Sequence, residues 1–209
     1  MRLEFNPFYC ESLTMSSKDR EDIENFSVVH ADTGKGLLNY LKTYAAADEM
    51  HGAMRTYLVR MTKTNECVGY FSLKAGLVSL QEAEFDGAIL FDTLPGVELA
   101  NFAVNRNYVQ KYQARGIGSV LFTNFIIPLI KSASEYIGVC LVYLFALPQP
   151  GLLKNYERYG FRRLTSDAEE KLHRRLKPTY DQSCIFMYRL LSSPNNLKKN
   201  SGAGARVDR

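Results

Sequence analysis

The stretch from Val97 to Phe125 constrains the fold of this chain most, because in it a segment with two glycines joins a strand-like pattern to a helix-like pattern. Residues 97–104 form a short apolar run that is typical of a β-strand. A polar segment follows, and Gly116 and Gly118 then lead directly into the apolar pattern of a helix. Glycine lets the backbone approach a ligand closely, and the first N–H groups of a helix have no acceptor within it. The junction therefore predicts an anion site, and diphosphate is its natural ligand.

Two other nucleotide-binding patterns do not fit the chain. The dinucleotide fingerprint G-x-G-x-x-G needs a third small residue, but Leu121 stands at that position. The triphosphate loop G-x-x-x-x-G-K-[ST] has a partial counterpart at 34–36, where Val29 replaces the first glycine and Gly36 replaces the hydroxyl residue. Both kinds of site are therefore rejected.

The segment that remains, Q-x-x-G-x-G from Gln113 to Gly118, resembles the acetyl-CoA pyrophosphate loop of the GNAT superfamily of N-acetyltransferases. A second segment, 152–161, resembles the GNAT helix that carries a tyrosine, here Tyr156, and ends at a Gly-Phe pair before the next strand. Both motifs have the order and spacing of the family, and the resemblance spans residues 55–190. It implies an α/β GNAT fold, in which helices flank a mixed, twisted sheet of six or seven strands.

The resemblance also implies where acetyl-CoA binds as co-substrate, namely where the sheet splits beside the strand at 97–104. The backbone of Phe102, Ala103 and Val104 would pair with the pantetheine arm and polarise the thioester carbonyl. The loop that holds the diphosphate would consist of Gln113, Ala114, Arg115, Gly116, Ile117, Gly118 and Ser119. The chain departs from the family at 148–150, where Pro-Gln-Pro replaces the polar residue that often opens the second helix.

Acetyl transfer from a thioester to an amine needs a neutral amine, a polarised carbonyl and an acid for the leaving thiolate. Glu98 is the ionisable side chain of the 97–104 strand, and an ammonium with a pKa of about 10 needs a base at neutral pH. The strand is similar to that of the histone-acetylating branch of the superfamily, which implies a general-base role for Glu98. Tyr156, four residues before Gly160, stands at the family's general-acid position. A purely structural role stays open for both side chains.

Length and composition predict one domain. The chain has 209 residues, 46% of them hydrophobic, which is enough for a single sizeable core. We expect this domain to span 1–191, and we expect the tail 192–209, which lacks apolar periodicity, to be disordered. The net charge of +4 permits nucleic-acid binding without indicating it. No apolar run reaches the length of a membrane span and the N-terminus lacks a signal-peptide core, so we expect a cytoplasmic protein.

The four cysteines, Cys10, Cys67, Cys140 and Cys184, are far apart and form no C-x-x-C pair. This spacing argues against a disulfide framework and against a zinc site, so we predict buried thiols and no metal. No cysteine lies in a motif that would support an acyl-enzyme. We therefore expect the acetyl group to pass directly to the acceptor.

The rest of the chain predicts further strands and helices. The expected strands are 3–8, 55–61, 68–73, 139–146, 161–164 and 183–191. Ser17 and Thr33 are expected to cap two early helices. The connection 79–96 exceeds the length of a hairpin loop, and we interpret it as a long loop. Its acidic residues are solvated or line the approach of a cationic acceptor; they are Glu82, Glu84 and Asp86.

The sequence thus predicts an acetyl-CoA-dependent N-acetyltransferase that acts on a primary amine. A faint similarity of 33–73 to GNAT toxins makes aminoacyl-tRNA an alternative acceptor. A domain that binds acyl-CoA without catalysis is a further alternative. Small-molecule amines, protein amines and tRNA stay open as partners, as does a homodimer, and no membrane is expected.

Overall fold

The computed structural model describes residues 2–30, 33–85, 88–174, 176 and 182–191. The strands in this part of the chain are β1 (Arg2–Phe5), β2 (Phe8–Ser12), β3 (Arg55–Met61), β4 (Cys67–Phe85), β5 (Ala88–Val104), β6 (Leu141–Ala146), β7 (Arg162–Arg163) and β8 (Ile185–Leu190). The helices are α1 (Ser17–Glu24), α2 (Lys35–Asn39), α3 (Ala45–His51), α4 (Arg106–Tyr112), α5 (Ile117–Leu121), α6 (Ile127–Ser134), α7 (Pro150–Arg158) and α8 (Ser166–His173). Two π-helical turns, Tyr40–Tyr44 and Phe122–Ile126, join α2 to α3 and α5 to α6.

The strands lie in one mixed sheet in the order β1-β2-β3-β4-β5-β6-β8-β7. β1, β2, β3 and β4 pair antiparallel in chain order, and β8 pairs antiparallel with both β6 and β7. The predicted fold class is confirmed, with eight strands in the described residues instead of six or seven. One additional strand arises because 3–8 is not a single strand: the chain turns at Asn6 and Pro7, and β1 and β2 form a hairpin.

The chain divides into two compact units. Unit 1 comprises Met1–Gly76 and Val97–Tyr136, and unit 2 comprises Leu77–Gly96 and Ile137–Arg209. β4 and β5 each continue from one unit into the other. The single domain over 1–191 stays a prediction, and the predicted disordered tail lies outside the described residues.

An apolar cluster in unit 1 joins α1 and the 35–51 helical segment to β3, β4 and β5. Its buried members are Leu13, Ile23, Phe26, Val28, Tyr40, Leu41, Ala45, Leu58, Cys67, Tyr70 and Ala103. A capping box opens α1, in which the Ser16 hydroxyl accepts the Asp19 N–H and the Asp19 carboxylate accepts the Ser16 N–H. The cap is therefore Ser16 instead of Ser17, and Gly34 instead of Thr33 precedes α2.

Arg60 of β3 is a buried cation, with 2% of its surface exposed. Its guanidinium donates to Asp19 at 2.6 Å and Asp22 at 2.7 Å, both on α1, and lies 3.4 Å from Glu11 of β2. Burial alone would raise the pKa of Asp19, but the hydrogen bonds from Arg60 and Thr14 outweigh it and hold the pKa below its usual value. This charge cluster fastens α1 to two strands.

The helical stretch Ile117–Ser134 packs one side into unit 1. Its buried residues are Ile117, Leu121, Phe122, Phe125, Ile126, Ile127, Leu129 and Ile130. Among the described residues it is the one helix long and apolar enough to cross a membrane, and a buried core helix meets the same criteria. Pro128 explains its π turn, because a proline ring crowds the carbonyl four residues earlier. The helix widens there, and the Ile127 N–H donates to the Phe122 carbonyl.

The core of unit 2 is built on the β6–β8 pair, which runs from Leu141 opposite Leu190 to Ala146 opposite Ile185. Its buried cluster consists of Val78, Leu141, Tyr143, Leu172 and Phe186. β6 is buried along almost all of its length. This agrees with the nearly continuous apolar run that predicted a strand covered on both faces.

The prediction of a long loop at 79–96 is wrong. β4 continues to Phe85 and β5 begins at Ala88, so the two strands form a long ribbon. Strand pairing uses backbone groups whatever the side chains are, so acidic residues do not prevent it. The side chains of Glu82 and Glu84 and the residues 86–87 lie outside the described part, so the proposed role of the acidic residues stays a prediction.

Candidate functional site

The predicted anion site is a loop that leads into the N-terminus of the 117–134 helix. Gln113 and Gly116 have positive φ angles of 47° and 70°, so the chain turns twice before α5 begins at Ile117. A helical bond joins the Val120 N–H to the Gly116 carbonyl at 3.2 Å. The N–H groups of 117–119 therefore have no acceptor within the helix and lie at its positive end. Helix N-termini bind anions through this geometry.

The glycines of the loop leave space for a ligand and for close packing. A Cβ built on Gly116 meets nothing within 4 Å, whereas one on Gly118 would lie 3.8 Å from Val104 Cγ2 and 3.9 Å from Phe102 Cζ. Unit 1 thus brings the loop and the 102–104 segment together. The resemblance described above implies that both segments bind acetyl-CoA. Arg115 is exposed on the loop and supplies a guanidinium, a group well suited to phosphate.

β5 carries the remaining predicted residues of unit 1. Exposure alternates along its end: Asn101 and Ala103 are buried, and Phe102 and Val104 are half-buried, as the strand pattern predicts. Glu98 is buried, with 9% of its surface exposed. Its carboxylate is therefore largely shielded from water, and its role as a base stays a prediction.

Tyr156 lies in unit 2, on α7. The chain leaves this helix at Gly160, which has φ 84°, and the Phe161 N–H donates to the Tyr156 carbonyl at 3.1 Å. The predicted helix that ends at a Gly-Phe pair is thus confirmed. The Tyr156 ring packs edge-on against Tyr159 and Phe161, with centroids 6.4 Å and 5.7 Å away. Burial, and to a smaller extent Tyr159, raises the pKa of Tyr156 above its usual value, so the phenol stays protonated.

No family model matches the sequence, whereas comparison with solved structures gives many matches. A tyrosine-to-phenylalanine mutant of KacT matches 92% of this chain and 99% of its own, with 17% identity and a TM-score of 0.63. The toxin AtaT complexed with acetyl-methionyl-tRNAfMet matches 93% and 99%, with 16% identity and a TM-score of 0.61. An AtaT mutant bound to acetyl-CoA and to the C-terminus of the antitoxin AtaR matches 86% and 91%, with 18% identity and a TM-score of 0.55.

This chain has the GNAT fold. The resemblance that the two motifs indicate is thereby confirmed at the level of the fold. Unit 1 brings the loop 113–119 to the segment 102–104 and also contains Glu98, whereas Tyr156 belongs to unit 2.

A helix that the sequence reasoning missed precedes the loop of this GNAT fold. α4 occupies most of the segment predicted to be a polar loop, and the Asn105 side chain caps it by accepting the N–H two residues on, at 3.1 Å. Glu66, between β3 and β4, binds both Lys111 and Tyr112 at the end of α4. These bonds, chiefly that from Lys111, lower the pKa of Glu66 to about 2. Asn105 is a capping residue, which is the signal that could have revealed the helix.

Asn101 of β5 is a second feature that the sequence reasoning missed. Its side chain is 1% exposed, its Oδ1 has no hydrogen-bond partner among the described residues, and its Nδ2 lies 4.0 Å from the sulfur of Met54. Two residues along the strand, Ala103 belongs to the apolar cluster of unit 1. Buried polar groups are normally hydrogen-bonded, so an exception calls for an explanation. The signal in the sequence is an amide within an apolar strand.

Other polar groups on this face of the sheet are paired. Thr56 of β3 lies opposite Ser72 of β4, their hydroxyl oxygens are 2.9 Å apart, and the Tyr40 hydroxyl lies 3.3 Å from Thr56 Oγ1. All three side chains are buried. Asn101 therefore differs from them in that the described part of the chain leaves its oxygen unpaired.

The four cysteines are free thiols. Burial raises the pKa of Cys10 and of Cys67 to about 12, so both stay protonated at neutral pH and are poor nucleophiles. Across the described ranges no group of three or more His, Cys, Asp or Glu side chains could hold a metal ion.

Proposed function

We propose that this protein is an acetyl-CoA-dependent N-acetyltransferase that passes the acetyl group directly to a primary amine. The observation that carries the proposal is the loop 113–119, which lies at a helix N-terminus beside the 102–104 segment of β5. Gly116 leaves the loop open, and its N–H groups and Arg115 complement a diphosphate. The residues present therefore fit coenzyme A.

The proposed mechanism divides the reaction among three groups of this chain. Acetyl-CoA, when bound, supplies an acetyl thioester. The N–H groups of 102–104 donate to the carbonyl oxygen and stabilise the negative charge that develops there. Glu98 takes a proton from the acceptor ammonium and so frees its lone pair for attack on the carbonyl carbon. Tyr156, which burial keeps protonated, gives its proton to the thiolate as the C–S bond breaks, and the second proton that the nitrogen loses returns to the Tyr156 oxygen.

Direct transfer is favoured over an acyl-enzyme because of the state of the thiols. A cysteine that accepts the acetyl group must first become a thiolate. The raised pKa values of Cys10 and Cys67 oppose this, and none of the four cysteines lies in the loop or in the 97–104 strand. The acceptor and the thioester therefore react together.

Calorimetric titration with coenzyme A tests the co-substrate site. Wild-type protein should bind with an affinity on the order of micromolar. Gly116→Glu places a carboxylate in the loop and should abolish binding by charge repulsion. Gly116→Gln carries the same backbone strain at φ 70° without the charge, so it should retain more affinity. Failure of the wild type to bind any CoA thioester would refute the proposal.

Rates measured against pH test the two catalytic side chains. Glu98→Gln should lower kcat by about 10²-fold to 10⁴-fold, and the loss should shrink as the pH approaches the pKa of the acceptor. Tyr156→Phe should lower the rate at every pH while the affinity for acetyl-CoA stays nearly unchanged. An unaltered pH profile of Glu98→Gln would show that the carboxylate is structural.

The α-amino group of an aminoacyl-tRNA is a second candidate acceptor. AtaT, whose fold this chain shares over 93% of its length, has been solved with acetyl-methionyl-tRNAfMet. An α-amine has a pKa of about 7.7–8 in model compounds and depends on a base less than lysine does. Growth arrest on expression that Tyr156→Phe relieves would favour this acceptor. Harmless overexpression would favour a small-molecule or protein amine.

A domain that binds acyl-CoA without catalysis remains the alternative from a different class. Tight CoA binding, with neither transfer to a broad amine panel nor thioester hydrolysis, would establish it. A cytoplasmic location and a homodimer also remain proposals. Cell fractionation and analytical ultracentrifugation test them.

A further inference from the structure

One face of β5 is closed, whereas the other is only partly covered. The closed face consists of residues that are at most 7% exposed, namely Leu99, Asn101 and Ala103. The other face carries the proposed base Glu98, and its remaining side chains are half-buried; they are Ala100, Phe102 and Val104. A ligand beside the strand can therefore contact the side chains of this second face.

Phe102 has the largest side chain of the partly covered face, and packing against the following helix fixes its position. Its Cζ lies 3.9 Å from a Cβ built on Gly118. Its ring centroid lies 6.5 Å from that of Phe122, which is 1% exposed, and the two ring planes are inclined by 50°. One part of the ring thus packs against the helix, and another part stays accessible. A ring held in this way forms a firm wall.

Ala100 leaves a gap between Phe102 and Glu98. Residues two apart in a strand are separated by about 6.6 Å, so the Cα atoms of Glu98 and Phe102 are about 13 Å apart. The side chain between them on this face is the single methyl group of Ala100. In the proposed mechanism, the N–H groups of 102–104 bind the carbonyl oxygen and Glu98 takes a proton from the amine. The acyl chain and the amine therefore share the gap at Ala100.

We propose that Phe102 determines which acyl group the enzyme transfers, and that its ring admits acetyl and opposes longer chains. The inference rests on the proposed function. The bonds that form and break are the same for every acyl thioester, so the chain length changes only the space that the acyl group needs. Each further methylene would have to displace a ring that packs against Phe122, and displacing a close-packed side chain is unfavourable.

The test measures kcat/KM for acetyl-, propionyl- and butyryl-CoA with the most active primary amine of the panel. In wild type, each added methylene should lower kcat/KM by about 10-fold or more. Phe102→Ala opens an apolar cavity that suits an alkyl chain, so the ratio of the butyryl value to the acetyl value should rise by about 10-fold to 100-fold. Phe102→Leu, which keeps an apolar side chain against Phe122, should raise the same ratio less.

Calorimetric titration without an amine gives a readout that does not depend on turnover. Phe102→Ala should bind coenzyme A, which has no acyl group, about as tightly as wild type does, and it should bind butyryl-CoA more tightly. Val104→Ala is the matched control, because Val104 Cγ2 lies 3.8 Å from the same Cβ position on Gly118. Val104 lies on the side of Phe102 away from Glu98, so this variant should keep the wild-type order of the three thioesters. Ala100→Val fills the gap again and should reverse the gain of Phe102→Ala.

Three results would overturn the inference alone. The first is an active wild type that transfers butyryl as readily as acetyl. The second is a pair of folded Phe102 variants that keep the wild-type preference for acetyl. The third is unfolding of both Phe102→Ala and Phe102→Leu under assay conditions, which would make the ring structural. A wild type that transfers no acyl group to any amine would instead overturn the proposed function, and the role of Phe102 with it.

Discussion

Two of the polar side chains that unit 1 buries in its sheet, Arg60 of β3 and Asn101 of β5, differ in their surroundings. Arg60 has charged partners on two elements, with Asp19 and Asp22 at 2.6 Å and 2.7 Å and Glu11 at 3.4 Å. Asn101 is buried as deeply, but its oxygen has no partner among the described residues. Burial alone therefore does not show how much a polar side chain stabilises the fold. Its hydrogen bonding does, because a paired group stabilises the fold and an unpaired buried group costs free energy.

Arg60→Ala should have the largest effect on folding. Two buried carboxylates would lose the cation that keeps them stable, and the free energy of unfolding should fall by about 3–5 kcal/mol. Denaturant unfolding measures the change. Combining Arg60→Leu with Asp19→Leu and Asp22→Leu removes all three charges and should recover most of the loss. If Arg60→Ala lowered the free energy of unfolding by no more than a surface substitution does, the buried charge cluster would not stabilise the fold.

Asp19→Asn should cost about 1.5–3 kcal/mol at neutral pH, because a charged acceptor of the Arg60 guanidinium becomes neutral. Folding lowers the pKa of Asp19, so its carboxylate stabilises the fold above the ordinary value of 3.8, and this contribution is lost as the pH falls below that value. The difference between wild type and variant should therefore shrink below pH 3.8. Urea unfolding at a series of pH values checks this, and a difference independent of pH would contradict it.

Thr56→Val should cost about 1–2 kcal/mol, since Ser72 and Tyr40 lose a buried hydrogen-bond partner. Asn101→Leu, on the same face of the sheet, should cost nothing. Thermal unfolding of the two variants side by side sharpens the comparison, because both replace a buried polar side chain by an apolar one. Equal losses would show that Asn101 is paired in solution.

Glu66→Gln should have the smallest effect. Its bonds to Lys111 and Tyr112 lie at the surface, where salt screens them. The pKa of Glu66 is lowered to about 2, so its contribution is present above the ordinary value of 4.5 and fades as the pH approaches 2. The difference in thermal midpoint from wild type should vanish in about 1 M salt. If salt left the difference in thermal midpoint unchanged, the bonds of Glu66 to Lys111 and Tyr112 would be shielded from solvent like those of Arg60.

The sequence predicts those parts of the site that depend on local backbone rules. Gly116 and Gly160 have φ angles of 70° and 84°, which glycine adopts readily, so both turns are visible as glycines at motif spacing. Gln113 has a positive φ as well, but a residue other than glycine gives no such signal. The sequence therefore predicts the turn at Gly116 but not the turn at Gln113.

The sequence does not reveal features that depend on residues far apart in the chain. Glu66 meets Lys111 across 45 positions of the chain, so the anchoring of α4 has no local signature. The unpaired oxygen of Asn101 becomes evident only when the neighbouring elements are in place. The sequence did not predict the ribbon formed by β4 and β5, because its acidic side chains are typical of a loop. Its backbone nevertheless pairs as in any sheet, whatever the side chains are.

The π turn at Phe122–Ile126 makes the length of its helix matter as much as its composition. A widened turn holds one residue more than a regular helix needs. If one residue were deleted there, the turn would become a regular helical turn, and α5 and α6 would keep their present register. Ile117 and Leu121 would stay in the core, and the glycine loop would keep its orientation. A further inserted residue would instead rotate everything on the N-terminal side by about 100° relative to α6, so this helix can lose a residue at the π turn more easily than it can gain one.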